Sequence, residues 1–352
     1  MSDRRFASLG ALTIAVAIVS LGPASVAGQT WTPPRTPDGH PDLQGVWLNN
    51  SATPLERPKA LEGRQFLTDD EVAELKQRAA RLFKNGNSDY AGGDNAFLAA
   101  LANPQQYKNP LGATCSSFSM IEREFDRRTS LIVDPPDGKI PPLTPAGRQR
   151  RAAAEVATER LPEGPEDLSD AVRCITFGMP RLTGNFGSGI YGYYQILQSP
   201  GYVALVMESI HDARIIPIDG RPHLPRSMRP WNGDSRGHWE GNTLVVDTIN
   251  FSPKSHPTGS FSAISNFMES SATLHLVERL TRVAPDTINY EMTLDDPTTW
   301  TKSWTAAIRL KKTQDELYEF ACHEESHSMV GILAGARAVE RAAEETAKTG
   351  AK

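Results

Sequence analysis

Gly233, Ser235 and Gly237 spell the G-x-S-x-G of a serine hydrolase, and His323, Glu324 and His327 spell the H-E-x-x-H of a zinc peptidase. Each spelling performs chemistry only in the right local structure. A nucleophilic serine needs a strand before it and a helix after it, so that a strained turn lifts the hydroxyl over an oxyanion hole. Ser235 instead follows the loop-like "PRSMRPWN" and precedes the strand-like "HWEGNTLVV". Gly233 and Gly237 are therefore expected to frame a turn in which Asp234 or Ser235 bonds to nearby amides. The zinc motif works because helical spacing puts both imidazoles on one face, with the glutamate placed to activate metal-bound water. His323 directly follows "LYEFAC", whose Tyr318, Phe320 and Cys322 alternate as in a strand. The expected structure there is a strand-to-helix corner with no cofactor. Zn2+ held by His323 and His327, with Glu340, Glu344 or Glu345 as third ligand, is the alternative.

Other polar residues sit where the pattern predicts burial. "YVALVMESIHDARIIPI" is apolar on both faces and reads as a central strand, carrying Glu208 and running into His211, Asp212 and Arg214. In "TLHLVERL", Leu274, Leu276 and Leu280 share a face with Glu278, while His275 and Arg279 point the other way. A carboxylate among leucines suits a general acid or base unless an arginine such as Arg214 or Arg236 pairs with it. The catalytic candidates are His211 with Asp212 as base and orienter, Glu278 as a second acid, and His323 at the same mouth. The loop from Pro217 to Asp234 holds Arg221, His223, Arg229 and Trp231, with Arg236 just beyond. These are the substrate-binding candidates, able to grip a carboxylate or stack on a sugar or aromatic ring.

The elements that must position these groups are legible in part. Thr68 and Glu71 form a capping box, Leu67 and Val72 a staple, and Val72, Leu75, Ala79, Leu82 and Phe83 one apolar helix face. Residues 86–118 read as irregular. "RRTSLIVDPPDGKIPPL" gives a strand and a turn, and Thr144-Pro145 opens a helix to about Arg160. From Tyr193 the texture is short strands and tight turns. "YYQILQ" and "YVALVMESIH" are separated by Ser-Pro-Gly, "RGHWE" and "TLVVDTINF" by Gly241-Asn242, and "TLHLVERLTRV" and "TINYEMTLD" by Ala-Pro-Asp. "SWTAAIRL" and "ELYEFAC" read as a further hairpin. Residues 328–348 read as a helix. Gly45-Val46-Trp47 matches the G-x-W that begins lipocalin barrels.

Residues 1–28 have basic Arg4 and Arg5, an apolar run from Leu9 to Leu21 and small residues at Ser25, Ala27 and Gly28, the order of a secretory signal. Export permits disulfides. Of three cysteines, Cys174 and Cys322 are the expected pair, with Cys115 left over. With 37 basic and 42 acidic side chains and no charge run, no nucleic-acid partner is expected.

"RTSLIVDPPDGKIPPLT", "IHDARIIPIDGRPHLP", "GDSRGHWEGNTLVVDTINF" and "LYEFACHEESHSMVGILAGAR" together resemble a widespread family of exported bacterial proteins. The resemblance runs from about Trp31 over most of the chain. It implies export and lends no catalytic residue. Relatives more often read Cys-His-Glu-Gly-Asn-Tyr where this chain has Cys322 to His327, which weakens the zinc motif further.

The expected molecule is mainly β. A single antiparallel barrel or sandwich with a lipocalin-like meander (190–323) and peripheral helices fills residues 29–352, after an extended and helical segment over 29–160. It is periplasmic or secreted, without a membrane span after signal cleavage. Its expected function is acid–base catalysis on a small organic or carbohydrate substrate, as hydrolase or lyase. The alternatives are a non-catalytic lipocalin-like binding protein and a zinc hydrolase.

Overall fold

The computed structural model describes residues 31–84, 97–98, 100–102, 123–181, 192–254, 272–324 and 327–350. The leader, Cys115 and most of 86–118 lie outside them. Residues 33–352 form one compact unit, and none of its described helices is long and apolar enough to cross a membrane.

The core of that unit is a nearly closed antiparallel barrel. Its strands are β1 (Gly45–Leu48), β2 (Ile132–Asp134), β3 (Tyr193–Ser199), β4 (Tyr202–Met207), β5 (Ala213–Pro217), β6 (Asp234–Glu240), β7 (Thr243–Ile249), β8 (His275–Ala284), β9 (Thr287–Asp295) and β10 (Trp304–Lys312). The order β5-β4-β3-β1-β10-β9-β8-β7-β6 brings sequence neighbours together along β3 to β5 and β6 to β10, with β1 joining the two runs between β3 and β10 and β2 paired to β10 outside the path. This is the meander expected from the tight turns. Gly201 and Gly241 occupy positive φ in two of them, where an L side chain would be strained.

Along β8 and β9 the alternation holds: Leu276, Glu278 and Leu280, and Ile288, Tyr290, Met292 and Leu294, are all buried. Their facing positions are fixed by register, with Glu278 opposite Val246 and Met292. At the end where β6, β8 and β10 begin, Met179, Phe251, Leu274 and Trp300 join the same core. G-x-W opens β1, and the fully buried Trp47 donates its Nε1–H to Leu43 O at 2.8 Å.

Nine antiparallel neighbours cannot close a ring, because an odd count leaves one pair running the same way. That pair is β5 and β6, and no backbone ladder joins them. Side chains lace the seam instead. Arg214 Nη2 on β5 donates to Ser235 Oγ on β6 at 2.9 Å. A Cβ on Gly237 would meet Ile218 Cγ2 at 2.8 Å and Ile216 Cγ2 at 3.0 Å. Both glycines of the G-x-S-x-G string are thus packing glycines. Gly233 makes the positive-φ turn, and a Cβ there would strike Thr248 Cγ2 at 2.7 Å and Ile249 O at 2.9 Å. Gly237 is in a strand, not in the turn expected of it.

Two strand expectations are corrected. "YVALVMESIHDARIIPI" is a hairpin of β4 and β5 at the seam, not a central strand: the chain breaks at Ser209–His211, where Ile210 has φ 56. "ELYEFAC" is not a strand paired to β10. Residues 313–322 run back along the barrel's outside, with Thr313 N bonded to Val46 O at 3.1 Å and Tyr318 N to Glu208 Oε2 at 3.0 Å. The segment ends at the expected Cys174–Cys322 disulfide, whose Cα atoms are 5.8 Å apart.

The helices are peripheral. In α1 (Asp69–Lys84) the capping box is closed both ways, Thr68 N to Glu71 Oε2 at 2.8 Å and Glu71 N to Thr68 Oγ1 at 3.2 Å. Leu67, Leu75 and Ala79 pack in a second small core. In α2 (Pro145–Glu159) Thr144 Oγ1 caps Gly147 N at 3.0 Å. The last helix, α3 (Ser328–Gly350), buries only Ala336 among its described side chains.

Candidate functional site

Alternation along β6, β7 and β8 sends neighbouring residues to opposite faces of the barrel wall, so each face carries its own polar network. The inner network is built on Arg214 and Glu278. Arg214 donates to both carboxylate oxygens, at 2.9 and 2.5 Å, and also to Thr248 Oγ1 at 3.0 Å. Tyr290 donates its hydroxyl to Glu278 Oε1. Burial works against the Arg214 charge, but the Glu278 carboxylate more than offsets it, so Arg214 is held above its usual value. Burial, with Glu278 beside it, keeps Tyr290 well above the ordinary phenol value, and burial pushes Tyr194 up to about 12. Tyr194 stands edge-on to Tyr290 at 6.4 Å and donates to Arg181 O at 3.2 Å.

That carbonyl leads to a second buried pair, Arg181 with Asp212. Asp212 also accepts from Thr176 Oγ1 at 2.8 Å and from Asn232 Nδ2 at 3.2 Å. Burial holds Arg181 below the usual guanidinium value, against the opposing effect of Asp212.

These contacts decide what the expected catalytic carboxylates have around them. Glu278 has no exposed surface and both oxygens taken. Arg214 is its partner, as the sequence allowed; Arg236 is not. Asp212 orients on Arg181, Thr176 and Asn232. His211 ends the turn Ser209–His211, and its side chain lies outside the described residues. His323 is exposed, next to the disulfide. Because α3 starts at Ser328, His323 and His327 do not share a helix face, and the geometry the zinc motif needs is not formed. Among the described residues no group of three or more His, Cys, Asp or Glu side chains is placed to hold a metal ion.

The outer network lies on the wall formed by β6, β7 and β8, under the loop 218–233. His223 Nδ1 is 2.8 Å from Asp234 Oδ2, and its Nε2 is 2.9 Å from Asp247 Oδ1. The other oxygen of Asp247 is 2.5 Å from His275 Nε2. Carboxylate and imidazole therefore alternate over four residues: Asp234, His223, Asp247, His275. Arg236 Nη1 and Leu224 N add donors to Asp234 at 2.6 and 2.8 Å. The hydrogen bond to Asp247 holds His275 above the usual histidine value, against a smaller opposing effect of burial. The same bond is the main reason Asp247 lies below the usual aspartate range. Side-chain exposure is 40% for His275 and 35% for Asp247, so solvent reaches both.

Of the expected binding residues, His223 and Arg236 belong to this network. The others are spread along the loop. Arg221 is tied to Asp219 and, at 2.8 Å, to Tyr202 OH. Arg229 Nη1 bonds to Ala272 O at 2.9 Å, and Trp231 is half-buried in the turn before β6. Asp234, Asp247 and His275 were not among the candidates. Alternation placed His275 opposite Glu278, which was the available signal; that Asp247 lies beside it depends on the β7–β8 register, in which Asp247 is opposite Val277 and Thr248 opposite Leu276.

No family model, curated protein or solved structure matches the chain.

Proposed function

We propose that the protein is an exported enzyme acting on a small organic or carbohydrate substrate by acid–base chemistry, as a hydrolase or lyase, with His275 moving the proton. The observation that carries this reading is an imidazole anchored to a carboxylate through Nε2 at 2.5 Å while 40% of its side chain faces solvent. With Nε2–H donated to Asp247, Nδ1 is left with its lone pair, and it has no partner among the described residues. It can take a proton from an attacking water or from a carbon acid, and return it to the leaving group. Asp247 fixes the tautomer and favours the imidazolium that forms. Export is supported by the leader pattern, the Cys174–Cys322 bond and the resemblance to exported proteins.

The test is a panel of chromogenic esters and glycosides together with uronate-containing oligosaccharides, assayed for hydrolysis and β-elimination. His275→Ala is expected to lose roughly 10²–10⁴-fold in turnover on whichever substrate responds. Full turnover in that variant would sink the reading.

The binding-protein reading is favoured by one separate feature. Arg214 Nε, Trp300 Nε1 and Trp304 Nε1, all on buried residues, are N–H donors without an acceptor among the described residues, and such donors suit an oxygen-bearing ligand. Native mass spectrometry of the purified protein would show such a ligand as a retained mass.

A further inference from the structure

We infer that His223 is a positioning residue for the His275 site: carrying two N–H groups, it bridges Asp234 and Asp247, so that two imidazoles share the one carboxylate that orients His275. This deepens the acid–base reading above and rests on it for its functional meaning. The geometry itself does not.

Both acceptors of His223 are carboxylates, which when ionised can only accept. A neutral imidazole has one N–H and can satisfy one of them; the doubly protonated ring satisfies both. Asp234 keeps Arg236 Nη1 and Leu224 N as donors whatever His223 does. Loop residues on either side of His223 are also pinned, Pro222 O by Arg236 Nε at 3.0 Å and Leu224 O by Asn250 Nδ2 at 2.9 Å. The Asp234 side chain is 6% exposed and that of Asp247 35%, so water can take the place of His223 at Asp247 and not at Asp234. The contact that yields when His223 gives up a proton is the one to Asp247, and the loop stays in place.

The consequence falls on His275. While His223 is doubly protonated, Asp247 is bonded from both sides and a second positive charge lies across it. Once His223 is neutral, Asp247 serves His275 alone, and His275 becomes the stronger base. The charged groups facing the pair are Asp234 and Arg236 from β6, Asp247 from β7 and Asp295 from the end of β9, which adds a weaker attraction on His275. Interacting groups of this kind titrate as a unit, so the His275 curve carries the state of the pair rather than of one ring.

The experiment is an NMR titration of the histidine ring protons in the full chain, for wild type, His223→Gln and Asp247→Asn. It needs no substrate. In wild type the His275 curve should depart from a single-site shape. In His223→Gln it should become a single step with its midpoint displaced upward, because a competing positive charge is gone. In Asp247→Asn the midpoint should move down. Superimposable His275 curves in wild type and His223→Gln overturn the inference. Should the glutamine variant fail to fold, a single-site His275 curve in wild type overturns it equally. A coupled titration alongside a fully active His275→Ala would leave the coupling standing and remove the catalytic reading, so the two failures are distinct.

Discussion

Two polar networks sit back to back on the same three strands. Ser235 and Thr248 face inward to Arg214 and Glu278, while their chain neighbours Asp234 and Asp247 face outward to His223 and His275. The chemistry of the groups is alike, and the surroundings differ. Inside, a charge removed from water needs an opposite charge beside it, and removing one partner leaves a stranded ion. Outside, solvent reaches the His275–Asp247 pair, so that bond contributes little to stability and its groups remain free to exchange protons. The inner network spans the barrel's seam; the outer one is where we propose that the acid–base chemistry takes place.

The largest effect that tests this contrast is on the inside. Glu278→Ala should destabilise the fold by about 3–5 kcal/mol, read from urea unfolding, because Arg214 is left buried and uncompensated. Replacing both partners with apolar residues, Arg214→Met with Glu278→Leu, should recover most of that loss. A small effect of the single substitution would mean that the inner pair is not what laces β5 to β6.

A smaller effect belongs to the seam itself. Gly237→Ala introduces a methyl group at 2.8 Å from Ile218 and 3.0 Å from Ile216, and should cost about 1–3 kcal/mol by overpacking. Faster amide exchange should appear first in β5 and β6. Exchange that stays uniform around the ring would show that the seam is no weaker than the laddered pairs.

The smallest stability effect is expected outside. His275→Ala should change stability by less than about 1 kcal/mol. Its sign with pH is fixed by the direction of the shifts. The raised His275 contributes below the ordinary imidazole value and loses that contribution as pH rises through its own higher value. The lowered Asp247 contributes above the ordinary carboxylate value, about 3.9, and loses it as pH falls through its own lower value. The gap in urea midpoint between wild type and His275→Ala should therefore be wider near pH 5.5 than near pH 8.5. An equal gap at both would place the stabilisation elsewhere than in the ion pair.

The sequence on its own determined the parts whose physics is local. The capping box at Thr68 and Glu71 needs residues three apart, and the turns at Gly201 and Gly241 need backbone freedom at one position. The alternation in β8 and β9 needs only a period of two, and it assigned Glu278 to the core and His275 to the outside. The break at Ile210 escaped because an isoleucine at positive φ defies its own preference and is held there only by its surroundings. The alternation in "ELYEFAC" misled because residues 313–322 lie across a finished wall, where pattern alone does not make a strand. What only the tertiary structure decided is adjacency. Alternation says which face a residue takes, but register and ring closure say which residue stands beside it. His223, Asp247 and His275 meet because β7 and β8 pair in one register and the chain must travel back over the barrel, from the end of β5 to the start of β6, to run parallel across the seam.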